Sequence, residues 1–532
     1  MSESHPSSLH PRQHALANPH KPAVIFSTGE VLSYGALEAR ANQAARLIRS
    51  HGIIAGDRVA LFMDNETEWF ELIWACQRIG VCVVPISSRL TAHELGYILA
   101  DCGARLLFAS PALADTALAD MDRPDIAQAQ AQAPARHADV ILTDGGYEAR
   151  RCTYADTPLE DESTGIDMVY SSGTTGRPKG IKPAVPPGPI DVPDRVTLMA
   201  TARYGVNADT VYLSPAPLYH AAPLRWSMAV QRLGGTVVVM RKFDAAETLH
   251  LIAQARVTHA QFVPTHFARL LDLSEEVRKA ADLSSLKVVI HAAAPCPVPV
   301  KHKMMDWFGP IIWEFYGGSE GIGNAIVSPT EWLERPGTVG RAHNCEIRIC
   351  DEAGEHLPAG RIGTVYLAHG QSFEYFNDPV KTAKAYNQYG WATLGDMGYV
   401  DEEGYLFLTD RKDFMIISGG VNIYPQEIED ALLTHPAVRD AAVVAAPHPD
   451  LGERVAAVIE LREGALAGPE LAQDLRAFLR ERLSPVKLPR RIDFLPELPR
   501  LPTGKLMKRL LRDAYFGHNA ELAASLRKGL EI

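Results

Sequence analysis

The sequence lacks any C-x-x-C pair, and its 7 cysteines, Cys76, Cys82, Cys102, Cys152, Cys296, Cys345 and Cys350, are odd in number. A zinc module and a disulfide scaffold are both disfavoured, and a reducing compartment is expected. No run of eighteen apolar residues occurs, so no membrane-spanning helix is expected. The segment Met1–Lys21 is rich in Ser, His and Pro and lacks the apolar core of a secretory signal. Basic residues are in deficit: 53 Lys and Arg against 64 Asp and Glu leave a net charge of −11. That balance argues against nucleic acid as a main partner. The 40 glycines and 37 prolines are scattered, which excludes a collagen-like or proline-rich linker chain.

What is present is the material of a globular protein. The 532 residues are 46% hydrophobic and 22% charged, enough for a large core. Their number suggests about two to four domains. A soluble, cytoplasmic protein is expected. No repeat of 20–50 residues is visible.

Short apolar runs alternate with helical patterns through the first two-thirds. Leu37, Ala41, Ala44, Leu47 and Ile48 recur at helical spacing, and a second helix is expected near Trp69–Ile79. Thr91 and Glu94 form a capping box for a third. Strands are expected at Arg58–Met63, Val81–Ile86, Arg105–Ala109, Val140–Thr143, Met168–Tyr170, Thr236–Met240, His259–Val263, Lys287–His291 and Ile311–Phe315. This alternation points to an α/β fold with largely parallel sheets. The Ala/Gln/Asp-rich stretch Ala112–Ala138 reads as a surface excursion with room for a helical piece. From about Glu346 the pattern changes to alternating strands, with a hairpin over Gly398–Leu408 turning at Asp401–Gly404. A compact α+β stretch follows Asp410, with a helix led by Pro425 and another near Glu470–Leu483. The main boundary is expected near Asp410–Asp413.

The run Tyr170-Ser-Ser-Gly-Thr-Thr-Gly-Arg-Pro-Lys-Gly180 follows a strand. Its glycines let backbone N–H groups approach an anion, while the hydroxyls and Lys179 add donors and charge. That composition suits a polyphosphate. It is not a Walker loop, because Pro178 precedes Lys179.

This run resembles the phosphate loop of the adenylate-forming superfamily, which includes acyl-CoA synthetases, luciferase and peptide-synthetase adenylation domains. Four further elements in family order carry the resemblance. They are Tyr316-Gly-Gly-Ser-Glu-Gly321, Trp391-Ala-Thr-Leu-Gly-Asp396, the stretch Asp410 to Pro425, and Leu501-Pro-Thr-Gly-Lys505. The second has Leu394 where the family has threonine. The resemblance implies an α/β fold: a large N-terminal domain of packed mixed and parallel sheets with a β-barrel-like subdomain, residues 1–410, and a small mobile α+β C-terminal domain, residues 411–532.

It also implies a two-step reaction. A carboxylate attacks the α-phosphate of ATP to give acyl-AMP and pyrophosphate, and a thiol, usually coenzyme A, then displaces AMP. Charge building on the phosphates calls for cations and Mg²⁺. By resemblance Lys505 contacts carboxylate and α-phosphate, although Lys508, Arg509 and Arg512 make a plain basic tail the other reading. Glu320 binds Mg²⁺. Ser171, Ser172, Gly173, Thr174, Thr175, Gly176 and Lys179 hold the outer phosphates, with serines where the family often has threonine. Ala293, Ala294 and Pro295 form a small-residue turn beside adenine. Tyr316 lies along the base with Gly317 and Ser319 beside it, and Asp396 and Arg411 take the ribose. His220 gates the acyl site. Asp413 is the hinge, and rotation about it brings Ser418, Gly419 and Gly420 to the pantetheine arm. Phe414 replaces a usually acidic neighbour.

Free coenzyme A is the expected thiol. Only 27 residues follow Lys505, with no Gly-Gly-x-Ser attachment signature. Between His220 and Arg232 there is no Asp or Glu to hold an ammonium group, so the acid site is expected to be apolar. Gly317 and Gly318 are expected to widen the pocket floor. A medium- to long-chain or bulky alicyclic, steroid-like carboxylate follows. An acyl-AMP ligase loading a carrier protein, an aryl or short-chain acid:CoA ligase, a luciferase-like oxidation, a non-catalytic binder and a membrane-surface module stand as alternatives. Loose membrane association through an apolar acyl tunnel is left open.

Overall fold

The computed structural model describes residues 9–119, 138–171, 178–183, 188–411, 414–419, 421–500 and 506–531. Local chemistry sets the helices. Tyr34–Ser50 starts at Ser33, whose side chain accepts from Ala36 N at 3.2 Å, and it buries Leu37, Ala41, Ala44, Leu47 and Ile48 on one face. Ala92–Cys102 starts at the Thr91–Glu94 capping box and stops at Gly103, whose φ of +64° is the left-handed value glycine adopts freely. Of the Ala112–Ala138 excursion, the described part holds a 3-10 turn, Pro111–Leu113, and a helix, Ala114–Ala119; residues 120–137 lie outside the described set.

Four sheets are formed among the described residues. The largest has 13 strands. Half of it is parallel: Pro22–Phe26, Thr236–Val239, Val211–Ser214, His259–Phe262, Val288–His291 and Ile312–Tyr316 follow one another. Most of these strands are largely buried on both faces, which is why a segment such as Thr236–Val239 reads as an unbroken apolar run, although His259, Gln261, His291 and Glu314 are buried polar residues among them. At Ile312–Tyr316 the sheet changes character. Asn324–Val327 pairs with it antiparallel, and an antiparallel ladder continues through Thr338–His343, Leu406–Arg411, Ala392–Val400, Gly363–Ala368 and Glu346–Cys350. The barrel-like portion expected from sequence is thus bonded edge to edge onto the parallel sheet.

A second sheet of 5 parallel strands runs Asp139–Leu142, Leu106–Ala109, Arg58–Phe62, Cys82–Ile86, Ile166–Asp167. Helices Tyr34–Ser50 and Glu68–Arg78 pack between the two parallel sheets. The largest core cluster includes Trp69, Trp74, Leu61, Val237 and Trp226. Each such side chain removed from water contributes about 1.5–3 kcal/mol. Trp74 donates to Gln231 Oε1 at 2.7 Å, tying Glu68–Arg78 to the Ala221–Arg232 helix. A third sheet of 3 antiparallel strands, Val169–Ser171, Lys179–Pro183 and Phe373–Tyr375, bridges distant parts of the sequence. The fourth, of 6 strands, is built from residues after Asp410 around the long hairpin Val438–His448 and Gly452–Leu461, with helices Pro425–Leu432 and Pro469–Arg480 in its core.

One consequence positions the site. The residues that follow the parallel strands, Pro215–Pro217, Arg241–Phe243, Val263–Pro264, Ala292–Pro295 and Gly317–Glu320, all line one cleft of about 3050 Å³. Open α/β sheets place ligands there, beyond the carboxyl ends of the strands.

Candidate active site

The turn after Val288–His291 holds Ala292–Pro295 against the cleft. Ala293 has φ +75°, a left-handed conformation that costs a non-glycine residue and clusters at functional sites. The next strand ends at Tyr316, whose hydroxyl donates to Asp396 Oδ2 at 2.7 Å. Asp396 is buried in Ala392–Val400 and stands opposite Arg411 in the ladder. Residues 80 positions apart are therefore fixed by one hydrogen bond on one wall.

Beneath that wall lies a buried charge cluster. Lys301 Nζ donates to Glu314 Oε2 at 2.6 Å, and His291 Nε2 stands 3.2 Å from the same oxygen. Burial works to raise the Glu314 carboxyl, but its neighbours His291 and Lys301, the second a cation, outweigh burial and hold the group well below the usual range. Burial keeps His291 neutral.

The opposite wall carries Lys179 of the glycine-rich run. Lys179 opens its strand opposite Ser171, and its ammonium donates to Asp378 Oδ2 at 2.8 Å. Asp378 caps the helix Pro379–Lys384, taking Lys381 N on its other oxygen at 2.9 Å. The same bonds pull the Asp378 carboxyl down. Tyr375, on the neighbouring strand, donates to Glu320 Oε1 at 2.9 Å. Glu320 itself sits in a turn closed by Gly321 N to Gly318 O at 3.1 Å.

His220 precedes the Ala221–Arg232 helix and meets the Tyr219 ring edge-on at 4.5 Å. Its Nε2 is buried with no hydrogen-bond partner among the described residues, and burial lowers the imidazole to about 4. The helix brings Ala221, Ala222, Trp226 and Met228 to the cleft. Arg225 lies among them, gripped by Asp167 at 2.8 Å and 3.1 Å and reaching Ser319 O at 3.4 Å. This end of the cleft therefore combines apolar side chains with two matched ion pairs, Arg225–Asp167 and Arg232–Asp194, the second at 3.4 Å.

The two glycines differ from expectation. A Cβ on Gly317 would overlap Asn324 Oδ1, and one on Gly318 would overlap Glu320 Oε2 and come within 2.6 Å of Leu394. The space they leave is filled by these neighbours rather than opened at the pocket floor. Gly318 makes room for the Glu320 carboxylate and for Leu394.

Lys179, His220, Ala293, Ala294, Pro295, Tyr316, Gly317, Gly318, Ser319, Glu320 and Asp396 thus share one cleft. Ser418 and Gly419 are not among its lining residues. Ser418 is buried at the end of Ile416–Ser418, and Gly419, at φ +57°, donates its N–H to Leu451 O at 3.0 Å. Ser172, Gly173, Thr174, Thr175, Gly176, Asp413, Gly420 and Lys505 lie outside the described residues, as do the side chains of Ser171 and Arg411. Leu506 and Lys508, just beyond Lys505, line the cleft. Asp167, Arg225, Tyr375, Asp378 and Lys381 were missed by motif reading. The one local signal was Asp378-Pro379, a helix N-cap followed by proline.

The family model described as AMP-binding enzyme matches residues 11–374, and AMP-binding enzyme C-terminal domain matches 427–505. A fatty acid–[acyl-carrier-protein] ligase of Streptomyces coeruleorubidus is 31% identical over 517 residues, covering 95% of this chain and 96% of its own. A long-chain-fatty-acid–CoA ligase of Mycobacterium tuberculosis is 31% identical over 516 residues, covering 95% and 97%. The crystal structure of ATP-bound MatB from Rhodopseudomonas palustris superposes with a TM-score of 0.80 at 27% identity, over 95% of this chain and 99% of that one. The chain belongs to the AMP-binding, adenylate-forming enzymes and is an ATP-dependent ligase that joins an acyl or aryl acid to coenzyme A or to a carrier protein.

Proposed function

We propose that the protein is a carboxylic acid:coenzyme A ligase acting on a medium- to long-chain or bulky alicyclic acid. The observation that carries this reading is the cleft itself. One wall offers hydrogen-bonded Tyr316 and Asp396 for a nucleoside, the other offers Lys179 beside Glu320 for phosphates, and the Ala221–Arg232 helix closes the end with apolar side chains.

In the first step the acid's carboxylate oxygen attacks the α-phosphorus and the bond to pyrophosphate breaks. Asp396 and Arg411 hold the ribose, the Ala292–Pro295 turn meets the base, and Ser171 to Gly176 with Lys179 hold the outer phosphates. Lys505 contacts carboxylate and α-phosphate; the cleft-facing Leu506 and Lys508 support that placement. Glu320 suits Mg²⁺, a hard ion that takes one or two carboxylates and otherwise phosphate and water oxygens. Among the described residues no group of three or more His, Cys, Asp or Glu is arranged to hold a metal alone, which fits an ion carried in with the nucleotide. When bound, Mg²⁺ neutralises charge on the phosphates. In the second step the thiol sulfur attacks the acyl carbon and AMP leaves. Residues 411–532 rotate about Asp413 between the steps, exchanging Lys505 for Ser418–Gly420.

The acid class rests on Ala222, Trp226 and Met228 in the cleft and on the two arginines of this helix that line it, Arg225 and Arg232, being matched by Asp167 and Asp194. A panel of acids scored for AMP release, with and without coenzyme A, tests this. Turnover of C8–C18 or alicyclic acids only with coenzyme A is expected. Turnover confined to acetate, benzoates or amino acids overturns the acid class, and AMP release that needs a carrier protein instead overturns the thiol.

A further inference from the structure

Lys381 stands in the first turn of the Pro379–Lys384 helix and lines the cleft. Its ammonium lies 4.0 Å from the centre of the Tyr375 ring, the residue whose hydroxyl holds Glu320. Lys179 and Lys381 face each other here, and both look to Asp378. Only Lys179 has it as an ion-pair partner: its Nζ takes Oδ2, while Oδ1 is occupied by the backbone N–H of Lys381. Among the described residues no carboxylate oxygen lies within 4.0 Å of Lys381 Nζ. The group is half-buried, and burial together with the charge of Lys179 lowers it, against the pull of Glu320 and Asp378. The two carboxylates near these ammonium groups are already engaged, Asp378 by Lys179 and Glu320 by the Tyr375 hydroxyl, so the Lys381 ammonium, which lines the cleft, is placed to meet the oxygens of a bound polyanion.

We propose that Lys381 is a second phosphate-binding residue that, with Lys179, brackets the pyrophosphate portion of the nucleotide. The aromatic face of Tyr375 aims the ammonium, and the helix cap at Asp378 fixes its starting turn. When the bond from the α-phosphorus breaks, the leaving pyrophosphate gains a negative charge, and a second cation on its oxygens stabilises it. The inference rests on the nucleotide reading of the Lys179 wall and adds to it a residue that lies outside the glycine-rich loop.

The test compares the full-length protein with Lys381→Met and Lys381→Arg, measuring binding of inorganic pyrophosphate and of AMP by calorimetry, then ATP–pyrophosphate exchange with an accepted acid. Methionine keeps the stem against Tyr375 and removes the charge. Loss of one charge-assisted contact weakens pyrophosphate roughly tenfold to a hundredfold. The AMP affinity should change less than about twofold, which also shows that the variant is folded, and arginine should restore most of the loss. Equal weakening of both ligands, or an unchanged pyrophosphate affinity, overturns the role of Lys381. Failure of the unaltered protein to bind AMP would instead overturn the nucleotide reading on which it stands.

Discussion

Replacing Lys301 with methionine should destabilise the parallel sheet far more than a surface lysine would. Lys301 is fully buried, its Nζ is 2.6 Å from Glu314 Oε2, and its ammonium also lies 4.5 Å from the centre of the Trp332 ring. The substitution leaves Glu314 buried with only a neutral His291 beside it. Breaking a buried pair in this way costs about 3–5 kcal/mol. At ~2.1 cal/mol/K per residue, a cooperative unit on the order of 350 residues unfolds with about 0.7 kcal/mol/K, so the midpoint should fall by about 4–7 °C. Differential scanning calorimetry of Lys301→Met, Glu314→Gln and the double variant reads it. The double variant should lose much less than the two single losses added together, because it leaves no lone charge.

The pH dependence gives an independent sign. In the unaltered protein Glu314 is held below its ordinary value, so its contribution is present above about 4.5 and is lost only in strong acid. In Lys301→Met the same carboxyl, buried without a cation, is pushed up instead. Its penalty is then full at high pH and relieved as protons bind, so the gap between variant and parent should narrow from pH 8 towards pH 5. A gap that is flat with pH, or single losses that simply add, would refute the buried-pair reasoning.

Two further outcomes follow from the site. Gly318→Ala places a Cβ against Glu320 Oε2 and Leu394, so acid-dependent pyrophosphate exchange should drop at least about tenfold while the melting midpoint moves little, since the turn lies at the cleft surface; unchanged exchange would show that the Glu320 position is not critical. His220 is lowered to about 4 by burial, so the folded protein resists a proton that the unfolded chain accepts near 6.5. Stability should therefore fall as pH drops from 6.5 to 4, and His220→Phe should remove that part of the slope; a variant with the parent's slope would show that the imidazole titrates normally.

The sequence made these elements legible to different depths, for physical reasons. The Thr91–Glu94 box and the Pro425 start are local chemistry, and the structure forms both. The apolar runs at Arg58–Met63, Thr236–Met240 and Lys287–His291 became strands within a residue or two of their expected ends, because central parallel strands are apolar on both faces. Partner choice was not legible. Nothing in Pro22–Phe26 says that it pairs with Thr236–Val239, and Ala441–Ala446 carries residues that favour a helix as much as the hairpin strand they form.

The same divide separates two kinds of functional residue. Tyr316 ends its strand, Glu320 sits in the turn that follows it and Asp396 lies within the Ala392–Val400 ladder, places where backbone geometry constrains several neighbours at once. Lys301 within VPVKHKMMDWF reads as an exposed helical lysine, yet it is the buried partner of Glu314. Arg225, Asp167, Asp378 and Lys381 likewise depend on a partner 58 or 199 positions away, or on the Tyr375 ring of the same wall, and a lone charge in sequence does not state its partner. Such charges are costly to bury alone, so their partners must be supplied by the tertiary fold. On the proposed reading the motif residues answer to the chemistry of the reaction, whereas the charges around them are held by tertiary partners that the local sequence does not state. It is in that second group, beginning with Lys381 and Arg225, that differences in nucleotide grip and acid preference between this enzyme and its relatives are to be sought.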